Sequence, residues 1–266
     1  MNFSFIPDIM RGASQVMLKA HDIDTHMNAK TGDQNFVTEF DVATQNYLME
    51  AIKKALPEAV FIGEEKDNDP ALLNSGAPCF IIDPIDGTTN FIHNFRFSAI
   101  SVGVCLNGKI VYGAIYDPYS DTMYTGELGK GAHMTIAGVT RPIHVRGGSL
   151  RDNLVIFGSA PYKRAEYADK TFRTVRKIFS LAREVRCMGS AALHIAYVAC
   201  GRAGAFMEYQ LSPWDYAAGS LILTEAGGVI SRMNGEPITL DKPCSIVAAS
   251  PEVYRDLMNS GVFETD

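Results

Sequence analysis

The sequence is poor in cysteine and has no long hydrophobic run. Its five cysteines among 266 residues form no CxxC pair, which argues against both a cysteine zinc site and a disulfide framework. The first twenty residues carry Asp8, Arg11 and Lys19 within their apolar pattern, where a secretory signal would be uncharged. No apolar stretch approaches the length that spans a membrane. We therefore expect a cytoplasmic protein with reduced thiols and no membrane partner.

The sequence also lacks an excess of positive charge and the motifs of several enzyme classes. Its formal net charge is -6 at pH 7, whereas a dedicated nucleic-acid binder normally carries a basic domain. There is no GxSxG nucleophile elbow, no HExxH zinc motif and no P-loop. Hydrophobic residues make up 47% and charged residues 20%, which is typical of a globular protein. Any anionic ligand must therefore be bound locally, by metal ions or by helix ends.

The first half of the chain is predicted to combine helices with an antiparallel sheet. Apolar residues at helical spacing predict a helix over residues 6–20, and a second helix is expected from near Asp41 to just before Pro57. Two strand-like runs flank Asn107 and Gly108 in FSAISVGVCLNGKIVYGAIYDP, which is the strongest short hairpin signal. We expect residues 1–146 to form an α+β subdomain.

The second half predicts alternating strands and helices, which is the pattern of an α/β layer. GGSLRDN, near residues 147–153, contains the turn residues of a boundary. LVIFGSA predicts a strand before a helix whose apolar residues include Phe172 and Phe179, while SAALHIAYVACG and WDYAAGSLILTEAGG each predict a helix that ends at glycine. We expect residues 147–266 to form a second, α/β subdomain.

Acidic residues recur where apolar strands are expected to end. CFIIDPIDGTTNF, residues 79–91, runs from an apolar strand into Asp83 and Asp86, FIGEE carries Glu64, and Asp215 falls in the first turn of a helix. Each acid alone has an ordinary explanation, as a turn residue, a solvated loop acid or a residue favoured by the helix dipole. Together they offer hard oxygen ligands without histidine or thiolate, a set that selects Mg²⁺ or Mn²⁺.

The residues that follow Asp86 point to a phosphate ligand. Gly87, Thr88 and Thr89 predict a tight turn into a helix, whose free amide groups can hold phosphate oxygens. Two metal ions about 4 Å apart can hold the attacking and leaving oxygens of an in-line displacement at phosphorus. The sequence therefore favours metal-assisted phosphoryl chemistry.

Three segments of the chain resemble one known family. DPIDGTTNF, GEE after an apolar strand, and WDYAAGSLILTEAGG are similar to the signatures of the inositol monophosphatase family of Mg²⁺-dependent phosphatases. The similarity is ordered and extends from Lys30 to Gly228. It implies a layered αβαβα sandwich, usually assembled as a homodimer. It also implies hydrolysis of a small phosphomonoester, with myo-inositol 1-phosphate as the expected substrate, and sensitivity to lithium.

The resemblance also implies roles for individual residues. The metal ligands would be Glu64, Asp83, the Ile85 carbonyl, Asp86 and Asp215, for two or three ions, most of them in the first subdomain. Asp41 and Thr88 would orient and deprotonate the attacking water, with Glu64 and Lys30 as further catalytic residues. The substrate contacts would be Asp86, Gly87, Thr88, Gly189, Ser190, Ala191 and Glu208, of which Glu208 lies with Asp215 in the second subdomain.

Two departures from the family pattern and two alternative functions stay open at this point. Asn35 and Gly204 stand where relatives often carry aspartate. Histidinol phosphate, fructose 1,6-bisphosphate or a 3′-phosphonucleotide would suit the same fold, because substrate choice depends on loops. A function of another class is regulatory binding to RNA or a transcription complex. Its basis is a basic run, which more often forms a solvated helix face and comprises Arg173, Arg176, Lys177, Arg183 and Arg186.

Overall fold

A computed structural model describes residues 1–20, 27–29, 36–66 and 68–263. Lys30 and Asn35 lie outside the described residues. Within these ranges the chain forms seven α-helices: α1 (Ile6–Leu18), α2 (Glu39–Ala55), α3 (Thr88–Ile92), α4 (Arg164–Phe179), α5 (Ala191–Ala199), α6 (Pro213–Glu225) and α7 (Pro251–Asn259). In the described part of the chain, none of these helices has the length and apolar composition needed to span a membrane.

The strands of the described residues form three sheets. They are β1 (Met27–Ala29), β2 (Phe36–Thr38), β3 (Val60–Gly63), β4 (Cys79–Asp86), β5 (Ala99–Leu106), β6 (Lys109–Asp117), β7 (Thr122–Glu127), β8 (Gly131–Ile136), β9 (Val139–Pro142), β10 (Leu154–Phe157), β11 (Glu184–Arg186), β12 (Ala205–Leu211), β13 (Val229–Ser231) and β14 (Cys244–Ala249). β1 and β2 pair with each other, β3 to β9 form a seven-stranded sheet in chain order, and the five-stranded sheet has the order β11-β10-β12-β14-β13.

The seven-stranded sheet is antiparallel except at one edge. The predicted hairpin between β5 and β6 is confirmed, and both Asn107 and Gly108 have the positive φ angles, 50° and 75°, that a tight two-residue turn requires. β3, however, pairs with β4 in parallel, so the expected antiparallel sheet carries one parallel strand at its edge. The cause is the connection between these two strands, which is a crossover through residues 64–78 rather than a hairpin.

The five-stranded sheet mixes both pairings. β10 runs parallel to β11 and β12, whereas β14 is antiparallel to β12 and β13. The segment between β9 and β10 contains the predicted boundary near residues 147–153, including a short 3₁₀ turn, Leu150–Asp152. The division of the chain into subdomains 1–146 and 147–266 stays a prediction, since α5 and α6 of the second half pack against strands of the first sheet.

Helices cover both faces of both large sheets. Buried residues of α1 and α2 pack on the outer face of the first sheet, and those of α4 and α7 pack on the outer face of the second. α5 and α6 lie between the sheets, where their side chains join residues of both in one apolar cluster. The result is the five-layered αβαβα sandwich, and the fold expected from the resemblance is confirmed.

A row of glycines allows α6 to approach the first sheet closely. Gly103, Gly113 and Gly126 are neighbours in register across β5, β6 and β7. A Cβ atom at Gly113 would lie 2.4 Å from the Ala218 carbonyl oxygen, and one at Gly126 would lie 2.9 Å from the Cα of Ile222. Side chains at these positions would force α6 away from the sheet. The glycine row therefore fixes the position of α6, whose first turn carries Asp215.

Candidate metal and phosphate site

Asp83 and Asp86 lie within β4 rather than beyond its end. Every residue of β4 is buried, and its pairing with β5 shifts register between the two aspartates. The shift is an irregularity of the kind that redirects side chains in a sheet. Asp83 also accepts a hydrogen bond of 3.0 Å from the backbone N–H of Ile85. The explanation of these acids as turn residues is therefore replaced by an irregular strand that contains both of them.

Asp215 reaches the same place from the first turn of α6. Its carboxylate accepts a hydrogen bond of 2.7 Å from the Ser212 backbone N–H, completing a capping box with the Ser212 side chain. One carboxylate oxygen from each of Asp83, Asp86 and Asp215 lies within 4.8 Å of the others. We call this cluster the acidic floor. The helix-dipole explanation for Asp215 is thus incomplete, because the same carboxylate caps the helix and also faces two other carboxylates.

Burial and mutual repulsion make the acidic floor unfavourable for free carboxylates. Burial, followed by the charges of Glu64, Asp86 and Asp215, raises the pKa of Asp83 well above its ordinary range. Burial and the charge of Asp86 raise the pKa of Asp215 similarly. Burial also raises the pKa of Asp86 to about 6. A cation that neutralises these oxygens removes the penalty, so the cluster fits a hard divalent ion such as Mg²⁺.

The N-terminus of α5 holds Asp86. The Ser190 hydroxyl and the backbone N–H groups of Ala191 and Ala192 donate hydrogen bonds to its carboxylate, and these bonds lower the pKa of Asp86 against the effect of burial. Ser190 also caps α5 by accepting from the Leu193 N–H. Ser190 and Ala191, predicted as substrate contacts, therefore contact an acid of the floor, and both border the cavity above it.

Glu64 stands beside the floor because β3 and β4 are parallel. Gly63 pairs with Ile82 in that register, and the Glu64 backbone N–H donates to the Ile82 carbonyl at 3.2 Å. The Glu64 charge is the largest electrostatic contribution to the raised pKa of Asp83. Glu64 is partly exposed and is not among the three acids whose oxygens meet within 4.8 Å. The Glu64 carboxylate can therefore complete a metal site from the solvent-accessible side of the floor.

Thr88 and Asp41 form a hydrogen-bonded pair next to the floor. The Thr88 hydroxyl lies 3.3 Å from Asp41 Oδ1 and 3.2 Å from the Ile85 carbonyl oxygen. Asp41 Oδ2 accepts from the backbone N–H and the hydroxyl of Thr38 in the capping box of α2. Gly87, with φ of 93°, turns the chain from β4 into α3, as only glycine does without strain. The N-terminal ends of α2 and α3 thus hold these two side chains together.

Glu208 lies inside β12 and is buried, not exposed at a strand edge. Its Oε1 accepts a hydrogen bond of 2.8 Å from the backbone N–H of Ala160. Burial raises the pKa of Glu208 to about 8. A Cβ atom at Gly158 would lie 1.8 Å from Glu208 Oε2, so only glycine leaves room for this carboxyl group. Gly189, also predicted as a substrate contact, has φ of 85° and faces Asn90.

A cavity of about 770 Å³ lies above the acidic floor. The predicted residues Glu64, Asp83, Ile85, Asp86, Gly87, Thr88, Gly189, Ser190, Ala191, Glu208 and Asp215 all border it. Sequence reasoning missed Tyr162, Lys163 and Arg164, which border it as well. No short-range pattern marked these three, because their place depends on the contact between Ala160 and Glu208, 48 residues apart. Lys30 lies outside the described residues.

One buried histidine also borders the cavity. His194 is 1% exposed and packs between the rings of Phe97 and Phe206. Neither of its ring nitrogens has a hydrogen-bond partner among the described residues. Burial lowers the pKa of His194 to about 3. The imidazole is therefore neutral at physiological pH and supplies no positive charge to an anionic ligand.

Comparison of the sequence with protein families and characterised relatives gives a consistent result. The profile of the inositol monophosphatase family matches residues 4–262. The Nus factor SuhB of Escherichia coli is 32% identical over 257 residues, which cover 93% of this chain and 91% of that protein. An inositol-1-monophosphatase of Mesorhizobium japonicum is 35% identical over 229 residues, covering 86% of this chain and 84% of the relative.

Solved structures agree with the sequence comparison. The SuhB protein of Bartonella henselae superposes with a TM-score of 0.85 at 29% identity, covering 95% of both chains. A structure of SaIMPase-II with bound inositol monophosphate has a TM-score of 0.79 at 29% identity, covering 97% of this chain and 93% of that one. The similarity thus includes both sheets and all the layers that surround the site.

Proposed function

Because the chain belongs to the inositol monophosphatase family, we propose that it is a Mg²⁺-dependent phosphomonoesterase with myo-inositol 1-phosphate as its substrate. Family membership supports a phosphatase. The observation that carries the proposal is the arrangement of Asp83, Asp86 and Asp215 within 4.8 Å of one another, next to the bonded pair of Thr88 and Asp41. The cavity above them has the size of a small-molecule site.

The metal ligands of the proposal are the acidic floor, Glu64 and the Ile85 carbonyl. All are hard oxygen donors, which suit Mg²⁺ and also accept Mn²⁺. When bound, Mg²⁺ neutralises charge on the phosphate oxygens and stabilises the departing oxygen of the ester. Two or three ions per site are expected from the resemblance to the family. The raised pKa values of Asp83 and Asp215 support the need for such cations.

Thr88 and Asp41 activate the attacking water in the proposed reaction. The Thr88 hydroxyl donates toward Asp41 Oδ1, so its oxygen lone pairs can accept a hydrogen bond from water. As the water oxygen forms its bond to phosphorus, its proton passes to Thr88 Oγ1, and the hydroxyl proton of Thr88 passes to Asp41 Oδ1. The ester bond breaks, and the leaving oxygen takes a proton from solvent. Thr38 keeps Asp41 oriented throughout.

The remaining residues place the substrate. The backbone N–H groups of Gly87 and Thr88, at the turn into α3, are assigned to the phosphate oxygens. Glu208, Gly189, Ser190 and Ala191 are assigned to the polyol, all of them bordering the cavity. With its pKa raised to about 8, Glu208 is mostly protonated at neutral pH and can both donate to and accept from hydroxyl groups.

Phosphate release from a substrate panel tests this proposal. The panel contains inositol 1-phosphate, histidinol phosphate, fructose 1,6-bisphosphate and a 3′-phosphonucleotide, each assayed with Mg²⁺ present and with a chelator. We expect release from inositol 1-phosphate that requires Mg²⁺. If the folded protein with Mg²⁺ releases no phosphate from any of these esters, the proposal is wrong.

The assembly, location and inhibition of the protein are part of the same proposal. We propose a cytoplasmic homodimer that is inhibited by lithium. The five cysteines form no disulfide, which supports a reducing compartment. Light scattering at micromolar concentration measures the mass of the assembly, and titration of LiCl into the phosphatase assay measures the inhibition.

A second candidate function is regulatory binding within a transcription complex. It is favoured by the name of the Escherichia coli relative, Nus factor SuhB. α4 and the residues after it carry the basic run, and Phe172 is 58% exposed on the same helix. Binding of single-stranded RNA at increasing KCl tests this function, with a variant carrying Arg173→Gln and Arg176→Gln for comparison. Absence of binding at low salt removes this candidate, and binding by an inactive Asp83→Asn variant would separate it from catalysis.

A further inference from the structure

A groove of about 610 Å³ lies beside α6, apart from the cavity above the acidic floor. The two share none of their described lining residues. Four parts of the chain form the walls of the groove: the 3₁₀ turn Pro70–Asn74, the β5–β6 hairpin, α6 and the segment before β14. The groove has the size of a small-molecule site, and the proposed reaction makes no use of it.

Hydrogen bonds and close packing fix the walls of the groove. The Gly108 N–H of the hairpin donates to the Leu73 carbonyl of the 3₁₀ turn at 2.8 Å, and a Cβ atom at Gly108 would lie 2.9 Å from Asn74 Oδ1. On the other side, the Tyr216 hydroxyl of α6 donates to the Thr239 carbonyl. The turn is thus tied to the hairpin, and the segment before β14 is tied to α6, so the groove is preformed.

Apolar side chains make up much of the surface of the groove. Leu73 and Leu221 border it and are each 5% exposed. Ile110 and Leu240 also border it and pack against the apolar cluster that contains Leu73. The Ser220 hydroxyl donates to a carbonyl of its own helix at 2.8 Å, which leaves its oxygen as an acceptor. A ligand that fits this surface therefore has an apolar body.

Two side chains of opposite charge border the groove without pairing. Lys109 lies on the hairpin and Asp241 in the segment before β14, and both are exposed. Within the described part of the chain neither belongs to an ion pair, although the Asp241 carboxylate accepts from the Thr239 hydroxyl. Among the described lining residues of the groove, these two carry the only charges. The complementary ligand therefore carries one anionic and one cationic group.

We propose that the groove binds a hydrophobic α-amino acid. Its carboxylate pairs with Lys109, its ammonium group pairs with Asp241, and its side chain lies against Leu73 and Leu221. A neutral apolar molecule would leave both protein charges unpaired, and a fatty acid or an alkyl amine would pair only one of them. The site is independent of the proposed phosphatase reaction, since no acid of the floor borders the groove.

The single tryptophan of the sequence offers a readout of binding. Trp214 packs against the apolar cluster that contains Leu73 and reaches Ile110 and Leu240. The indole also borders the cavity above the acidic floor. A ring that binds against Leu73 changes the surroundings of this cluster. Titration with the amino acid should therefore change the fluorescence of Trp214.

Three related molecules test which chemical groups the groove recognises. L-Phenylalanine carries both charges, 3-phenylpropionate lacks the ammonium group and 2-phenylethylamine lacks the carboxylate. Isothermal titration calorimetry on the whole protein measures the Kd of each. We expect L-phenylalanine to bind with a Kd of about 1 mM. Each of the other two should bind about fivefold more weakly, the effect of losing one solvent-accessible ion pair.

Two charge-removing variants assign the two ends of the ligand. Lys109→Gln should weaken L-phenylalanine about fivefold and leave 2-phenylethylamine unchanged, because that amine has no carboxylate to lose a partner. Asp241→Asn should weaken L-phenylalanine by a similar factor and leave 3-phenylpropionate unchanged. Lys54→Gln and Asp169→Asn are the matched controls, since both residues are exposed and neither borders the groove. Circular dichroism confirms that all four variants are folded.

Several results would overturn the proposal without affecting the phosphatase. Absence of L-phenylalanine binding to the folded wild type at millimolar concentration is one, and equal affinity for all three molecules is another. Leu128 borders the groove and is 40% exposed. If Leu128→Ser converts a dimer to a monomer in light scattering, a second copy of the chain covers the groove and the amino-acid site is wrong. Crossed losses in Lys109→Gln and Asp241→Asn, with a change in Trp214 fluorescence, support it.

Discussion

The acidic floor and the rim segment, residues 159–164, border one cavity but are built in different ways. The floor acids lie on a fully buried strand and on a helix that a glycine row fixes against the sheet. The rim segment leads from β10 into Arg164, the first residue of α4, and its residues Tyr162, Lys163 and Arg164 are all exposed. The hydrogen bond between the Ala160 N–H and Glu208 anchors it to β12.

We expect this structural difference to assign the reaction to the floor and the choice of substrate to the rim segment. Moving an acid of the floor requires a change in β4 or in α6, which is packed closely against the first sheet. The rim can change sequence with little effect on that core, as surface loops generally can. We therefore expect the chemistry to depend on the layers and substrate preference to depend on residues 159–164. Substitutions in the two regions test that contrast.

Asp83→Asn should have the largest effect, because Asp83 is 1% exposed at the centre of the floor. The substitution removes a charge that the divalent ion needs and keeps the side-chain volume. We expect kcat for inositol 1-phosphate to fall by at least about 10³-fold, the order reported for groups that stabilise transition-state charge. Steady-state phosphate release measures it, with circular dichroism to confirm folding. Asp169→Asn, at an exposed position of α4, is the control. Near-normal activity of a folded Asp83→Asn protein would contradict the role of the floor.

Gly158→Ala should perturb the rim without touching the floor. The new Cβ atom would lie 1.8 Å from Glu208 Oε2, so the carboxyl group or the backbone that it binds must move. We expect kcat/KM for inositol 1-phosphate to fall about tenfold, mainly through KM, as expected for lost ground-state binding. At Gly147 the nearest atom to a new Cβ is 4.0 Å away, so Gly147→Ala should be neutral. A drop in kcat as large as that of Asp83→Asn would break the contrast between floor and rim.

The floor was predictable from sequence because its signals are local. An apolar run that ends in acid recurs at Glu64 and at Asp83, and the first turn of a helix is readable around Asp215. The parallel pairing that brings Glu64 beside Asp83 was not predicted, because an apolar run predicts a strand but not the direction in which it pairs. Nor was the irregular pairing that keeps Asp86 inside β4, because pairing irregularities depend on the partner strand.

The rim segment and helix α4 show which structural features the sequence patterns do not predict. Tyr162 and Lys163 face the cavity only because Glu208 binds Ala160 from a distant strand. Phe172 and Phe179 were predicted on the apolar face of α4, but they are 58% and 56% exposed. The buried stripe of α4 is narrow and consists of Thr171, Thr174 and Ile178. A helical pattern identifies the helix but not how much of its apolar surface the sheet covers.

The buried carboxyl groups that border the cavity should make the stability of the metal-free protein depend on pH. The pKa of Asp86 is raised from 3.8 to about 6 and that of Glu208 from 4.5 to about 8, so the folded state binds protons more tightly than the unfolded state. Stability from these groups is therefore greatest at low pH and is lost as pH rises through this window. We expect the Tm of the metal-free protein to fall between about pH 5 and 8, measured by calorimetry.

Mg²⁺ and a floor variant provide the matched comparisons for that measurement. Mg²⁺ should raise Tm by several degrees at pH 8, since ligand bound only to the folded state stabilises it. Asp86→Asn removes one of the titrating groups, so its metal-free Tm should depend less on pH than that of the wild type. Equal pH profiles for the wild type with and without Mg²⁺ would show that the ion does not bind at these carboxylates.

Tyr162→Phe should have the smallest effect and tests whether the rim takes part in the chemistry. The variant keeps the ring but loses the hydroxyl, which stays protonated because burial and then the charges of nearby carboxylates raise the pKa of Tyr162. Loss of one hydrogen-bond donor at a partly exposed side chain corresponds to a change of about threefold in KM, with kcat nearly constant. Tyr47→Phe on α2, where Tyr47 is 44% exposed, is the control. If Tyr162→Phe instead lowers kcat by about 100-fold, the phenol belongs to the reacting groups, and the division between a catalytic floor and a selective rim is wrong.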